Sequence, residues 1–189
     1  MITKIKIFIL AVILTASFAS NRFAKEEGPK RPEERNNVLY HDSLTVSKVI
    51  NQLQPLLSKK TSENYAKTIY YYSSLYSIDW RLVVAISFRE SSFVFMAHPK
   101  KNDHGLMGVS CLVWCKELGL DLKRLQTDRE YSIVAGIRVL DVIKRRHELK
   151  DKKWIGRYNS RYKLLKTNYL AAINSILLAI ATVENTKEK

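Results

Sequence analysis

From residue 44 onward the apolar positions recur at steps of three and four, and the elements follow from that spacing. Leu44, Val46, Val49, Ile50, Leu53 and Leu56 predict a first helix over 44–57, weakened near its end by Pro55. "TSENYAKTIYYYSSLYS" offers Thr61 or Ser62 as a cap and carries Tyr65, Ile69, Tyr72 and Tyr76 on one stripe, which predicts a second. Asp79 can cap a third helix from Trp80 to about Phe93, after which "AHPKKNDHG" breaks the pattern with Pro99 and Gly105. A short helix over 112–118 stops at Gly119. Asp128 opens a long one with the stripe Ile133, Val134, Ile137, Leu140 and Ile143, and its tail "KRRH" suits the negative end of a helix dipole. A short helix near Trp154 and a last one from Leu164 to Val183 complete the set. Strand-type alternation is nowhere sustained and no segment repeats, so the expected architecture is mainly α.

Length and composition fit one domain with tails: 189 residues, 46% of them hydrophobic. The opening "MITKIKIFILAVILTASFAS" sets Lys4 and Lys6 before an apolar run and ends in small residues, the layout of a cleaved secretory signal. The organisation expected is a signal peptide at 1–19, a flexible linker at 20–43 rich in charge, Gly and Pro, an N-terminal helical extension at 44–60 and the main domain at 61–186. "YLAAINSILLAIATV" near the end is interrupted by Asn174 and Ser175 and is too short to span a bilayer, so export to the periplasm or exterior as a soluble protein is expected.

The net charge of +14 favours acidic partners, among them nucleic acid, anionic lipid and anionic glycan, or serves solubility alone. No recognisable basic helix or RNA-binding motif appears, and nucleic acid is not expected as a partner. Cys111 and Cys115, four apart, are expected as two buried free thiols, because ideal helical backbone is poor disulfide geometry. A bond becomes possible if Cys111 precedes the helix, since export would permit it. Without nearby histidines the pair makes no zinc site.

Glu90 is the chemical anomaly. It stands in "SFRESSFVF" among Phe88, Phe93, Val94 and Phe95, and a helix turning about 100° per residue places it within roughly 20° of Val83 and about 40° of Ile86. Arg81 falls on the opposite face and Arg89 points some 100° away, so neither is a natural partner. A carboxyl against an apolar wall has its charged form disfavoured, which raises its pKa and suits it to donate a proton near neutral pH. The alternative is a buried Glu satisfied by backbone amides or a basic residue.

Three later stretches bear on that choice. "ESSF" at 90–93, "GLMG" at 105–108 and "RYNS" at 157–160, in this order and spacing, resemble the lytic transglycosylase domain of the soluble-transglycosylase type, related to goose-type lysozyme. "NDHGLMG" with Asp103 is similar to the members that accompany secretion and conjugation machines. The resemblance covers about residues 65–175. It implies a lysozyme-like helical domain with a glycan-binding cleft, in which Glu90 is the catalytic acid and Ser92 orients the substrate or the carboxyl. It further implies that Leu106 and Met107 line the cleft, that Tyr158 and Asn159 face Glu90 from the other wall, and that Asp103 joins the substrate site. Taken by themselves, Met107 and Tyr158 also read as core, Asn159 as a turn residue and Asp103 as a loop cap. Two positions depart from the family: Gly108 stands where it usually has Gln, and Arg161 where it usually has Gly.

What the resemblance implies for the chemistry is a single-carboxyl mechanism that calls for no metal or organic cofactor. A retaining glycosidase needs a second carboxylate about 5–5.5 Å from the first, and only Asp103 and Glu117 are nearby candidates. In the resembled family one Glu protonates the bond between N-acetylmuramic acid and N-acetylglucosamine, then takes the proton of the muramyl C6 hydroxyl as it attacks C1, leaving a 1,6-anhydro end. The expected partner is the peptidoglycan glycan strand, with an envelope-spanning secretion or conjugation machine as a further candidate, and the chain is expected to act as a monomer. A hydrolase of goose-lysozyme type and a non-catalytic wall-binding or assembly protein are the alternatives.

Overall fold

Seven α-helices, one 3-10 helix and a two-stranded hairpin are formed by the residues described in the computed structural model, 37–95, 102–159 and 163–185. All belong to one compact unit, Asn36–Lys189. The expected signal peptide, the first part of the expected linker (20–36) and Arg161 lie outside the described residues.

Helix α1 spans Asn37–Leu53 and begins earlier than its apolar pattern suggests. The end of the expected linker is therefore helical: Ser43 is buried, and the Tyr70 hydroxyl donates to Asp42 Oδ2 at 2.6 Å. Val46, Val49 and Ile50 are fully buried in the main core, so α1 is a structural part of the domain rather than an appendage. Helix α2 (Lys59–Leu75) is capped by Ser58, whose hydroxyl accepts from the Thr61 N–H; the expected caps Thr61 and Ser62 occupy its first turn.

Helix α3 (Trp80–Ser91) starts at Asp79, which accepts from the Arg81 N–H at 2.9 Å. It stops short of Phe93 because Ser92 (φ 50°) and Phe93 (φ 58°) adopt the left-handed conformation. That reversal folds Phe93 back into the core beside the rings of Tyr65 and Phe88, each 6.3 Å away. Arg81, on the outer face, pairs with Glu184 at 2.8 Å.

A minimal antiparallel hairpin follows, β1 (Asp103–His104) with β2 (Val109–Ser110), pairing Asp103 with Ser110 and His104 with Val109. Helix α4 (Cys111–Leu118) ends at Gly119 in the left-handed conformation, as expected. Helix α5 (Leu122–Thr127) was not anticipated: with only Leu122 and Leu125 apolar in six residues it shows no periodicity, and its stability comes from the Asp121 cap on the Arg124 N–H and burial of Leu125. The long α6 (Arg129–His147) is capped by Asp128, a 3-10 helix covers Trp154–Tyr158, and α7 spans Lys163–Asn185.

Two apolar clusters result. The larger joins α1, α2, α3, α6 and α7 through residues such as Val83, Ile86, Ile133, Ile137 and Ile173, each fully buried and each contributing about 1.5–3 kcal/mol relative to exposure. The smaller gathers Val109, Leu118, Leu125 and Val139 under α4 and α5, and Trp154 and Tyr158 pack against both.

Two expectations are corrected here. Cys111 and Cys115 form a disulfide, with Cα atoms 4.6 Å apart. Cys111 is the first residue of α4, where the chain is still free to depart from ideal helical geometry, which removes the objection to a bond. Helix α7 is longer than its last apolar run implied: Leu164–Asn185 is long and apolar enough to cross a bilayer by length and composition, although it also supplies Tyr169, Ile173 and Ile180 to the core.

Candidate functional site

Glu90 sits in the last turn of α3, half-buried, on the helix face that carries Val83 and Ile86 into the core. The adjoining Ser91 fixes that turn against the hairpin loop. Its hydroxyl lies 2.8 Å from the Leu106 carbonyl and 3.0 Å from the Ser87 carbonyl, sharing one proton between them. The loop is held on its other side by α6, where Ser132 Oγ accepts from the Leu106 N–H at 3.2 Å and donates to the Arg129 carbonyl at 2.7 Å. Gly105 permits this approach, since a Cβ there would lie 2.3 Å from Ser132 Cβ.

Gly108 closes the same loop with φ +61° and lies directly against Glu90. A Cβ at 108 would stand 3.0 Å from Glu90 Oε2 and 3.2 Å from its Cβ and Cγ. The position where the resembled family usually has Gln is thus one where this chain brings bare backbone against the carboxyl. From the far side the Tyr158 hydroxyl donates to the Met107 carbonyl at 2.8 Å, tying the 3-10 helix to the loop.

These elements border a cleft of about 750 Å³, within the range of small-ligand sites. Its lining includes Glu90, Asp103 and Gly108, Val113, Trp114 and Glu117 from α4, Arg146 and His147 from α6, and Arg157, Tyr158 and Asn159 at the 3-10 helix. The cleft therefore takes residues from α3, the hairpin, α4, α6 and the 3-10 helix.

The Glu90 carboxyl has its pKa raised, chiefly because burial disfavours the anion; neighbouring Asp103 pushes the same way, while Tyr169 and Arg89 oppose it. Tyr169, one α7 residue of the core, is 3% exposed, and its hydroxyl has no fully formed hydrogen bond among the described residues. It approaches the Glu90 carboxyl closely enough to favour the anion, and we read the contact as a near approach rather than a complete bond. The Tyr158 and Tyr169 hydroxyls are both pushed far above the usual phenol range by burial and by Glu90, so both remain proton donors. Such an arrangement can hold a neutral carboxylic acid at an open cleft and offer its proton to a bound ligand.

Of the residues singled out in the sequence, the structure brings Glu90, Asp103, Tyr158 and Asn159 together on the cleft. It does not bring the other three. Ser92 is exposed beyond the helix end, where its carbonyl accepts from Gln54 Nε2 at 2.9 Å, and Ser91 makes the tie to the loop instead. Leu106 and Met107 are both fully buried in the main core and are not among the residues lining the cleft. Side chains of consecutive helix residues point some 100° apart, so "ESS" cannot aim both serines at one site.

Tyr169 and Trp114 were missed. Tyr169 lies on the same stripe as Ile173, and the only signal was a hydroxyl on an otherwise apolar face. Trp114 follows Val113 in a helix too short for periodicity to show which face meets a cleft. Compared with family models, curated proteins and solved structures, the chain gives no match.

Proposed function

We propose that the chain is a peptidoglycan lytic transglycosylase, with Glu90 acting first as acid and then as base. The observation that carries the reading is a half-buried carboxyl of raised pKa, without an ion pair among the described residues, on a cleft of glycan size. In the forward step Glu90 gives its proton to the glycosidic oxygen while the bond from that oxygen to the muramyl C1 breaks. The resulting carboxylate takes the proton of the C6 hydroxyl as its oxygen closes on C1, which restores the acid and leaves a 1,6-anhydro end. Trp114 and Tyr158 offer aromatic surface to sugar faces. A lysozyme-like arrangement of the helices and export to the cell wall, with or without an envelope-spanning machine as partner, belong to the same proposal.

A second reading, hydrolysis with water as nucleophile, draws on Asp103 and Glu117 sharing the cleft with Glu90. Mass spectrometry of digested peptidoglycan separates the two. Anhydro ends from the wild-type chain, absent with Glu90→Gln, support the transglycosylase; reducing ends formed by water addition replace it with the hydrolase. Wall binding without either product, unaffected by Glu90→Gln, would leave a non-catalytic binding protein.

A further inference from the structure

Both signs of charge line the cleft. Asp103 acts electrostatically on Glu90, whereas Arg146 and Arg157, from the last turn of α6 and the 3-10 helix, act on His147, with Glu117 paired to Arg146. The two arginines are only partly used. Among the described residues Arg146 pairs through a terminal guanidinium nitrogen with Glu117 Oε1 at 2.6 Å, and Arg157 through its Nε with Asp151 Oδ2 at 3.0 Å. A guanidinium has five N–H donors, so most of those on each side chain remain for a ligand. Asp151 is also claimed by Lys166 at 2.8 Å, so the carboxylates nearby do not cancel the cations. His147 registers the resulting field: after burial, Arg157, Arg146 and Lys150 hold its pKa below the usual value, against Asp151.

We infer that Arg146 and Arg157 form a carboxylate subsite that fixes the register of the glycan in the cleft, an inference that rests on the glycan-cleaving reading above. A peptide-free alternating glycan carries a lactyl carboxylate on every second sugar; where a stem peptide is attached that carboxyl is an amide, and the peptide's own carboxylates take its place. Anchoring one carboxylate at the arginines, and repelling it from Asp103, selects which of the two kinds of glycosidic bond reaches the acid. Neutral chitin oligosaccharides have no such anchor and lie in either register.

The test is calorimetric binding to the Glu90→Gln chain with three probes: chitin tetraose, a peptide-free tetrasaccharide of alternating N-acetylglucosamine and N-acetylmuramic acid, and the same glycan bearing stem peptides. Carboxylate-bearing glycan is expected to bind roughly five- to tenfold more tightly than chitin tetraose, with the advantage shrinking as salt rises. An advantage confined to the peptide-free glycan assigns the carboxylate to the lactyl group, one confined to the peptide-bearing glycan assigns it to the stem peptide, and one on both shows a subsite that takes either. Arg146→Gln should remove much of the advantage, weakening the anionic glycans several-fold more than chitin tetraose. Arg157→Lys, which keeps the charge beside Asp151, should retain part of it and guards against a folding defect in any neutral variant at 157. Equal affinity for chitin and the anionic glycans, or an Arg146→Gln loss that is the same on chitin, overturns the subsite while leaving the glycan cleft intact. Failure of all three probes to bind overturns both, whereas carboxylate-dependent binding with no cleavage by the unmutated chain overturns only the catalytic reading.

Discussion

Two carboxylates near the cleft, Glu90 and Asp151, are poised in opposite directions. Asp151 Oδ2 is clasped by Lys166 Nζ at 2.8 Å and Arg157 Nε at 3.0 Å, while Oδ1 accepts from the Lys153 N–H at 2.9 Å. Those bonds, led by Lys166, hold its pKa down to about 2. Glu90 has no such clasp among the described residues; burial pushes its pKa up against the opposing pull of Tyr169 and Arg89, and a backbone glycine and a second carboxylate stand beside it. A fold with so large an excess of Lys and Arg could have neutralised either acid. Satisfied at one and withheld at the other, the same functional group serves as a clamp between the 3-10 helix and α7 in the first case and stands as a half-buried acid of raised pKa in the second.

The sharpest way to break the comparison is to remove both charges in turn. Glu90→Gln should lower glycan cleavage by about a thousandfold or more, measured as release of soluble fragments, because a positioned acid is lost while the shape is kept. Its stability should move the other way. A carboxyl whose folded pKa lies above its unfolded value binds more protons folded than unfolded, so the native chain loses stability as pH rises from 4.5 through the raised pKa. Glu90→Gln removes that loss: thermal melts should show the variant more stable than the unmutated chain at neutral pH and the gap closing below about pH 4.5.

Gly108→Ala tests the cleft face of the same carboxyl. The new methyl group meets Oε2 at 3.0 Å and is carried on a backbone at φ +61°, so either the carboxyl shifts or the loop does. Cleavage should fall about ten- to a hundredfold through misplacement of the acid, and stability by about 1 kcal/mol through the left-handed conformation. Unchanged kcat/KM would mean that the position of Glu90 against this loop does not matter.

Asp151→Asn should show the opposite acid profile to Glu90→Gln. A depressed carboxyl contributes stability that is present above its unfolded pKa of 3.8 and is lost as pH falls through about 2. The variant should therefore melt a few degrees below the unmutated chain at neutral pH, and the difference should fade between pH 4 and 2. If the neutral-pH melting points coincide, the clamp is only a surface ion pair.

The contrast also marks what the sequence could carry. Asp79, Gly119 and Asp128 were read as helix boundaries because capping is local chemistry, decided by one side chain and the next three amides. Glu90 was legible because burial of its helix face follows from period alone. Nothing local distinguishes Asp151, whose partners include a lysine on another helix, or Tyr169, which meets Glu90 across the core. Ser92 was misassigned for a different reason. The left-handed turn that ends α3 is imposed by seating Phe93 between Tyr65 and Phe88, a tertiary demand that reverses the chain one residue after the site.

The smallest effects expected concern the neighbours that tune Glu90, and their signs differ. Asp103 raises the carboxyl's pKa and Tyr169 lowers it, after the dominant influence of burial. The protonated acid is the active form for the first step, so the alkaline limb of kcat/KM follows this pKa. Asp103→Asn should move that limb to lower pH and Tyr169→Phe should move it to higher pH, each by less than about one unit. Loss of a contact that serves only packing would lower kcat/KM evenly across the profile and leave the limb in place. Opposed shifts in the two variants, with melting points near that of the parent, are the outcome that a charge at 103 and a hydroxyl at 169 acting on one carboxyl require; shifts in the same direction would detach at least one of them from Glu90.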